Sequence, residues 1–361
     1  MYDFAVVGVG PAGARFARRA AENGHRVIAL EQGEIGSPLA CSGHVSRDIW
    51  SFTGEGARER LAQNEVYGAR FHVDGPGGRA YPFYKDEPVS NVIDRVALDR
   101  HLAELARDAG ADVRDHHTVT DVDVRADRVV LTASGPDGTV EFEAKLVAGC
   151  DGPRSRVRDA LSLPEPDEFL HGVLAFDDEP DHDDFVDVHL TAPTFFAWRI
   201  PRGDAGVEYG LAAPPGVEVK KHFDDLVAGY DVSVANRCSG AIPIGPPERV
   251  TGDRGFLIGD AAGQTKPFTG GGILYGMRCG DHAAREIDPD HPSTVRAYER
   301  AWRADIERDQ AFGHRLRQAY SLPEPVQRIG LRALSGEIGV HMDRPTSMFT
   351  REHIRAMFSM K

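Results

Sequence analysis

The sequence predicts an α/β fold: a Rossmann-like dinucleotide-binding domain, an inserted antiparallel β-sheet and a helical C-terminal region. Three observations predict it. The N-terminus reads as strand, glycine-rich turn, helix and second strand. Residues 165–245 change to short alternating strands such as HGVLAFD, FVDVHL, FFAWRIP and VEYGLAA. The last 70 residues are mostly helical in pattern and rich in arginine.

Taken in order, residues 3–9 read as a short buried strand running into a glycine-rich turn. A helix from about Ala12 to Asn23 follows, with Gly24 as its stop. Residues 26–31 (RVIALE) form the second, parallel strand of a βαβ unit. Residues 92–109 read as an amphipathic helix ended by Gly110. Residues 111–150 hold short strands with a hairpin turn at Pro136-Asp137-Gly138, and AKLVAGCDG (144–152) is a buried strand ending in a turn. After the alternating segment, with its acidic loop DEPDHDD (178–184), FLIGDAA (256–262) returns to a buried strand and turn, and a helix starts from Gly272. The expected division is 1–165 with 246–290 as a discontinuous cofactor domain, 166–245 as the substrate domain, and 291–361 as the C-terminal helical region.

A chain of 361 residues with 41% apolar and 27% charged residues can bury a sizeable core, which excludes disorder of the whole. Its 42 basic and 56 acidic residues leave a net charge of −14, a poor match to nucleic acid. Only six of the basic residues are Lys and 36 are Arg. An acidic, Lys-poor surface points to a halophilic cytosol; a GC-rich genome gives the same bias. Cys41, Cys150, Cys238 and Cys279 are far apart and form no CxxC pair, so neither a zinc ribbon nor a local iron–sulfur cluster is expected. The opening MYDFAVVGVG is already a strand, so no signal peptide is expected, and no apolar run approaches the length of a membrane span. The expected location is cytoplasmic, with reduced thiols.

Three glycine-rich sites read as one cofactor site. In Gly8-Val9-Gly10-Pro11-Ala12-Gly13 the glycines allow a tight turn, close approach of a pyrophosphate and close helix–strand packing. The helix N-terminus offers free N–H groups and a positive dipole end. Glu31, 18 residues after Gly13, closes the second strand, where a carboxylate accepts ribose hydroxyls. This unit alone does not separate NAD from FAD. FLIGDAAGQTKPFTGGGI (256–273) does: Asp260 at a strand end meets sugar-like hydroxyls, and Gly270-Gly271-Gly272 admits a flat ring at a helix N-terminus. The third site is CDGPRSRVR (150–158), where Asp151 is either a helix N-cap or a direct cofactor contact.

GVGPAG, CDGPRSRVR and LIGDAA…GGGI, in this order, resemble the FAD-dependent oxidoreductases of the para-hydroxybenzoate hydroxylase fold. IGSPLACSG (35–43), FFAWRIP (195–201) and SGAIPIGPP (239–247) narrow the resemblance to the geranylgeranyl reductase family of archaeal lipid synthesis, over about residues 1–290. The resemblance implies that Ala12, Gly13 and Glu31 hold the ADP half of FAD. It places Cys41 and Ser42 beside the flavin, Arg95 on the cofactor and Val119 at the adenine. Asp260 would bind the ribityl and pyrophosphate region, and Gly272 and Ile273 the isoalloxazine. Two departures stand out. The run after the Cys is Ser42-Gly43-His44, and the family's Tyr-x-Trp-x-Phe-Pro is here Phe196-Ala197-Trp198-Arg199-Ile200-Pro201, without the tyrosine hydroxyl.

The resemblance implies reduction of isolated C=C bonds in the geranylgeranyl chains of ether-lipid precursors. Hydride comes from reduced FAD, and an external donor (ferredoxin, reduced deazaflavin or NAD(P)H) recharges it. An unactivated alkene has no carbonyl to polarise, so positive charge develops on carbon, and Trp198 and Phe196 are candidates to line the substrate path and stabilise it; the alternative is two sheet-core aromatics. Cys41 is the candidate proton donor or flavin tuner, against a small buried apolar residue. His44 is a candidate relay, against a loop histidine. His116, His117, His182 and His189 lack ligand spacing and read as surface residues. Arg315, Arg317, Arg328 and Arg332 flank apolar residues, which suggests peripheral membrane contact at the inner face or a solvated helical surface. An aromatic-ring monooxygenase shares the fold and is the rival activity. A catalytically inactive FAD-binding protein is the rival outside the enzymes; it would hold flavin without turnover.

Overall fold

A computed structural model describes residues 1–37 and 41–337. Residues 38–40 of the Cys41 segment and 338–361 of the expected helical region lie outside it. Strand β1 (Tyr2–Val7) enters helix α1 (Pro11–Glu22), with proline at the first helical turn, where a missing N–H costs nothing. Strand β2 (Val27–Leu30) lies parallel to β1. The expected βαβ unit is therefore present.

A short strand β3 (His44–Ser46) and helices α2 (Trp50–Thr53) and α3 (Ala57–Leu61) follow. Strands β4 (Ala62–Val66), β5 (Gly68–His72), β6 (Ala80–Tyr84) and β7 (Ser90–Ile93) come next. Helix α4 (Arg95–Asp108) starts three residues later than its pattern predicts. The cause is local: Ser90–Ile93 pairs with β3 and β4, and the Asp94 side chain accepts the Ala97 N–H at 2.9 Å, capping the helix there. Strands β8 (Asp112–Arg114), β9 (Thr118–Val124), β10 (Val129–Gly135) and β11 (Gly138–Gly149) lead to helix α5 (Arg156–Ala160).

Strands β12 (Glu168–Asp177), β13 (Phe185–His189), β14 (Ala197–Pro201) and β15 (Val207–Ala213) form the alternating segment. A helix not expected there, α6 (Val219–Tyr230), precedes β16 (Ala235–Ile244). Its Val219, Phe223, Leu226 and Val227 recur at helical spacing and bury one face. Strand β17 (Gly255–Leu257) and a 3₁₀ turn (Gly259–Ala262) lead to helices α7 (Ile273–Glu286), α8 (Val295–Gln318) and α9 (Glu324–Leu334).

The first sheet runs β8-β2-β1-β11-β10-β9, with β17 also paired to β11. β8, β2, β1, β11 and β17 pair in parallel, with the β1 and β2 centres buried, while β10 and β9 add an antiparallel flank. Phe4, Phe16 and Phe256 meet edge to face at 5.2–6.4 Å and tie β1, α1 and β17 together. The second sheet runs β16-β12-β15-β14-β13-β5-β6, so it takes two strands from upstream of α4. One face packs on α6; the other turns toward the first sheet, with the small sheet β3-β7-β4 beside it.

Helix α7 lies close against α1. A Cβ at Gly276 would sit 3.0 Å from Ala12 Cβ, and one at Gly280 would sit 3.3 Å from Ala12 O and Phe16 N. This contact brings the first and the last glycine-rich sites side by side.

Candidate cofactor and substrate site

A cavity of about 660 Å³ opens between the two large sheets. One end is bounded by Gly10 and Ala12 at the start of α1. Its middle passes Arg95, Asp260 and the loop Gly270–Gly272. Its far wall is the second sheet, with Phe196 and Trp198.

The first end is shaped by glycine. Gly8 has φ +92°, and a Cβ there would lie 2.3 Å from Cys150 O; one at Gly13 would lie 2.0 Å from Gly8 O. Both are packing glycines that bring β1, α1 and the Cys150 turn together, and neither lines the cavity. Gly10 differs. A Cβ there meets nothing within 4 Å, so it borders open space at the helix N-terminus. Glu31 accepts the Val9 N–H at 2.7 Å and the Gln32 N–H at 2.9 Å, which fixes its carboxyl beside that loop. Burial raises the Glu31 pKa against these N–H groups. Val119 lies on β9 in the core, near Glu31 through the His117 N–H to Glu31 O bond, but not on the cavity wall.

Asp151 accepts the N–H groups of Arg156 and Val157 at 2.7 and 3.3 Å, while Ser155 caps α5. The structural role is therefore present. Its second oxygen is buried without a partner among the described residues.

In the middle, Asp260 stands where a Gly272 Cβ would be 2.6 Å from its Oδ1, so a side chain at 272 would have to displace the buried carboxyl. Burial pushes the Asp260 carboxyl up to about 6, and the positive charge of Arg95 partly offsets this. The loop beneath is held by a chain of hydrogen bonds. Gln264 accepts the Gly259 N–H, donates to Tyr298 Oη, and Tyr298 donates to Leu257 O. Arg95 is buried and ion-paired to Asp99 at 2.6 Å. Burial opposes its charge, but Asp99 outweighs this and raises the guanidinium pKa. Its Nε–H donates to Cys41 Sγ at 3.4 Å. Ser42 Oγ accepts the His44 N–H, and His44 Nε2 lies 2.7 Å from Ser90 Oγ. Cys41, Ser42, His44, Arg95, Asp260, Gly271, Gly272 and Ile273 thus all line one cavity.

At the far wall, Phe196 stacks on Phe195 at 4.4 Å and meets Trp198 edge-on at 5.8 Å. Tyr320, from the turn after α8, approaches Phe196 at 5.7 Å and donates its hydroxyl to Phe268 O. The sequence gives no signal for Tyr320, because only the fold carries it across to the sheet. Two sequence readings need correction. His189 is fully buried: it stacks on His72, bonds Tyr230 Oη at 2.6 Å, and burial followed by His72 pushes its imidazole down to about 4. Arg317 is also buried, in a bidentate pair with Glu168 at 2.7 and 2.8 Å, so it belongs to no membrane-facing surface.

The residues fit FAD. Gly10 leaves room at a helix N-terminus for a pyrophosphate, Asp260 faces the cavity as a hydroxyl acceptor, and the triglycine loop admits a flat ring. When bound, FAD supplies hydride chemistry; Gly10, Ala12, Asp260 and Gly270–Ile273 are the residues that would hold it.

Comparison with known proteins agrees. Residues 1–195 match the FAD binding domain family. The chain is 30% identical over 324 residues to digeranylgeranylglycerophospholipid reductase 1 of Methanosphaera stadtmanae, covering 82% of this chain and 78% of that protein. It is 32% identical over 333 residues to the digeranylgeranylglycerophospholipid reductase of Methanothrix thermoacetophila, covering 84% and 83%. A geranylgeranyl bacteriochlorophyll reductase-like protein from Thermoplasma acidophilum superposes with a TM-score of 0.85 at 24% identity, covering 100% and 96% of the two chains. The p-nitrophenol 4-monooxygenase of Pseudomonas putida superposes with a TM-score of 0.73 at 19% identity, covering 99% and 96%, so the fold is the expected hydroxylase type. With the cofactor cradle and the relatives in agreement, the chain belongs to the digeranylgeranylglycerophospholipid reductase family of FAD-binding flavoproteins.

Proposed function

We propose that this chain hydrogenates isolated C=C bonds in geranylgeranyl chains of archaeal ether-lipid precursors, with FAD as its resident hydride donor. One observation carries the reading: the cavity that begins at the nucleotide loop ends on an apolar aromatic wall of Phe196, Trp198 and Tyr320. A prenyl chain is the ligand chemistry that such a wall accepts. An external donor, a ferredoxin, a reduced deazaflavin or NAD(P)H, returns the electrons.

The protein's own groups manage the proton. The Cys41 thiol is the proposed donor to the second alkene carbon, and the thiolate left behind faces the Arg95 Nε–H. His44, bonded to Ser90, is the proposed relay that restores the thiol proton. Glu31, with Ala12 and the helix start that Gly13 packs against β1, is assigned to the ADP half of the cofactor, and Val119 to the adenine edge.

Anaerobic dithionite reduction of the FAD-loaded protein, followed by addition of a geranylgeranyl ether lipid, tests the reading. Mass spectrometry of the lipid should show steps of about two mass units per double bond. Cys41→Ser should retain FAD and lose at least about tenfold in rate. Unchanged lipid in the presence of fully reduced FAD overturns the assignment and favours the aromatic hydroxylase.

Membrane contact is assigned to α9. Val326, Ile329 and Leu334 are 48%, 70% and 45% exposed, while Leu331 of the same helix lines the cavity. No helix among the described residues is long and apolar enough to cross a membrane. A cytoplasmic protein resting on the inner leaflet through α9 would take its lipid from there. The double variant Val326→Ser/Ile329→Ser should abolish flotation with ether-lipid vesicles; undiminished flotation removes α9 from that role. The acidic, Lys-poor composition supports work in high salt, so these assays are best run there.

A further inference from the structure

A buried carboxyl stands directly behind the aromatic wall. Glu208, on β15, is 0% exposed. Its Oε1 accepts the Trp198 Nε1–H at 2.8 Å. Its Oε2 is buried with no hydrogen-bond partner among the described residues. Its strand partners in register are Ile200 on β14 and Phe176 on β12, both apolar. Arg202, just after β14, is the charged group that acts on it; its guanidinium lies over the Phe176 ring and donates to Gln63 Oε1. A carboxyl in such a place is costly, and a folded protein gains little from one N–H bond in return.

The indole between Glu208 and the cavity is itself immobilised. A Cβ at Gly210 would lie 2.1–2.4 Å from Trp198 Cε2, Cζ2 and Nε1. The ring therefore rests flush on the β15 backbone, with its N–H tied to Glu208 and other atoms exposed to the cavity.

We propose that Glu208 is a positioning residue for the reaction. By accepting the indole N–H it fixes Trp198 against the cavity and enriches the ring in electron density, so that this wall stabilises positive charge developing on a substrate carbon. The proposal rests on the alkene-reductase reading above. Its physical basis is general: a charged acceptor strengthens the hydrogen bond, and the ring's quadrupole attracts a cation more strongly as the ring gains electron density. Burial pushes the carboxyl up to about 7, against the Trp198 N–H and the Arg202 charge, so its ionisation falls in an accessible range.

The test uses FAD-loaded wild-type protein, Glu208→Gln, Trp198→Phe and the double variant. Glutamine keeps the volume and an acceptor oxygen but removes the charge. The first readout needs no turnover: the emission difference between each protein and its Trp198→Phe counterpart, followed from pH 5 to 9. It should show one transition near 7 in wild type and none in Glu208→Gln. The second is the single-turnover reoxidation of reduced FAD by geranylgeranyl ether lipid. Glu208→Gln should slow it about tenfold at pH 8 with unchanged lipid affinity, and the loss should shrink below pH 6. In the double variant the rate should equal that of Trp198→Phe alone, because Glu208 acts through the indole. A wild-type rate in Glu208→Gln at pH 8, or additive losses in the double variant, overturns the proposal. Wild-type protein that leaves the lipid unreduced overturns the activity instead, and the proposal with it.

Discussion

Arg95→Leu is expected to lower the free energy of unfolding by about 3–5 kcal/mol, a large part of the stability of a typical domain. The reason is what it leaves behind. Asp99 is 4% exposed, and its carboxylate is satisfied by Arg95 at 2.6 and 3.2 Å. Burial already raises the Asp99 pKa, and Arg95 is what opposes it. Without the guanidinium the folded-state pKa rises further above the unfolded value. The sign follows: the folded state then holds a proton that the unfolded state has released, so the defect grows as pH rises from the unfolded pKa through the folded one. Urea unfolding at pH 5 and pH 8 should show the larger loss at pH 8. Arg95→Leu/Asp99→Leu should regain most of the stability, because it removes the buried charge along with its partner. Equal losses at both pH values would show that packing, not the unpaired carboxylate, dominates. Asp260 would also lose its compensating charge, so the double variant should fold well yet bind FAD poorly.

A pair of glycine substitutions should separate fold from cofactor. Gly13→Ala puts a methyl group 2.0 Å from the Gly8 backbone carbonyl, with Cys150 Cβ at 3.0 Å on the other side, and that backbone cannot yield cheaply. FAD affinity should fall by at least about 100-fold, equivalent to ~3 kcal/mol, together with a lower melting temperature. Gly10→Ala is the contrast. Gly10 has φ −66° and a methyl group there touches nothing in the chain, so stability should change by less than ~0.5 kcal/mol. The same methyl group enters the space assigned to the pyrophosphate, so FAD affinity should still drop. Flavin absorbance after gel filtration and thermal unfolding of the apoprotein read the two effects apart. Gly10→Ala with undiminished FAD content would place the phosphates elsewhere.

These residues differ in how far the sequence alone reveals them. The βαβ unit is legible because Gly8, Gly10, Gly13 and Glu31 keep fixed spacings that backbone geometry demands. The GD segment and triglycine are legible for the same reason. Helix α6 is a different case: its apolar spacing is in the sequence, but surrounding strands mask it. Strands β3–β7 are short and carry mixed polarity, so neither period stands out. Glu208 and Tyr320 are not legible at all. Glu208 sits in an alternating strand where a charged residue normally faces water, and only the fold, which sets it beside Trp198 on the cavity side of the sheet, buries it. His189 is misread for a different reason, since Tyr230 of α6 covers what the strand pattern leaves open. Arg317 looks like surface charge until Glu168, 149 residues away, is seen to pair with it.

The close seat of α7 on α1 has a consequence for biosynthesis. The two glycine-rich loops of the cofactor cradle are more than 240 residues apart, and Gly276 and Gly280 join them only by docking against Ala12 and Phe16. β17, which flanks the same cradle, likewise pairs with β11 only after residue 257 exists. During translation the N-terminal βαβ unit therefore emerges without the other half of its binding site. Flavin capture is therefore expected only once α7 has left the ribosome. Until then α1 lacks the helix that covers it, so bound flavin is expected to mark chains synthesised through α7 rather than to template nascent ones.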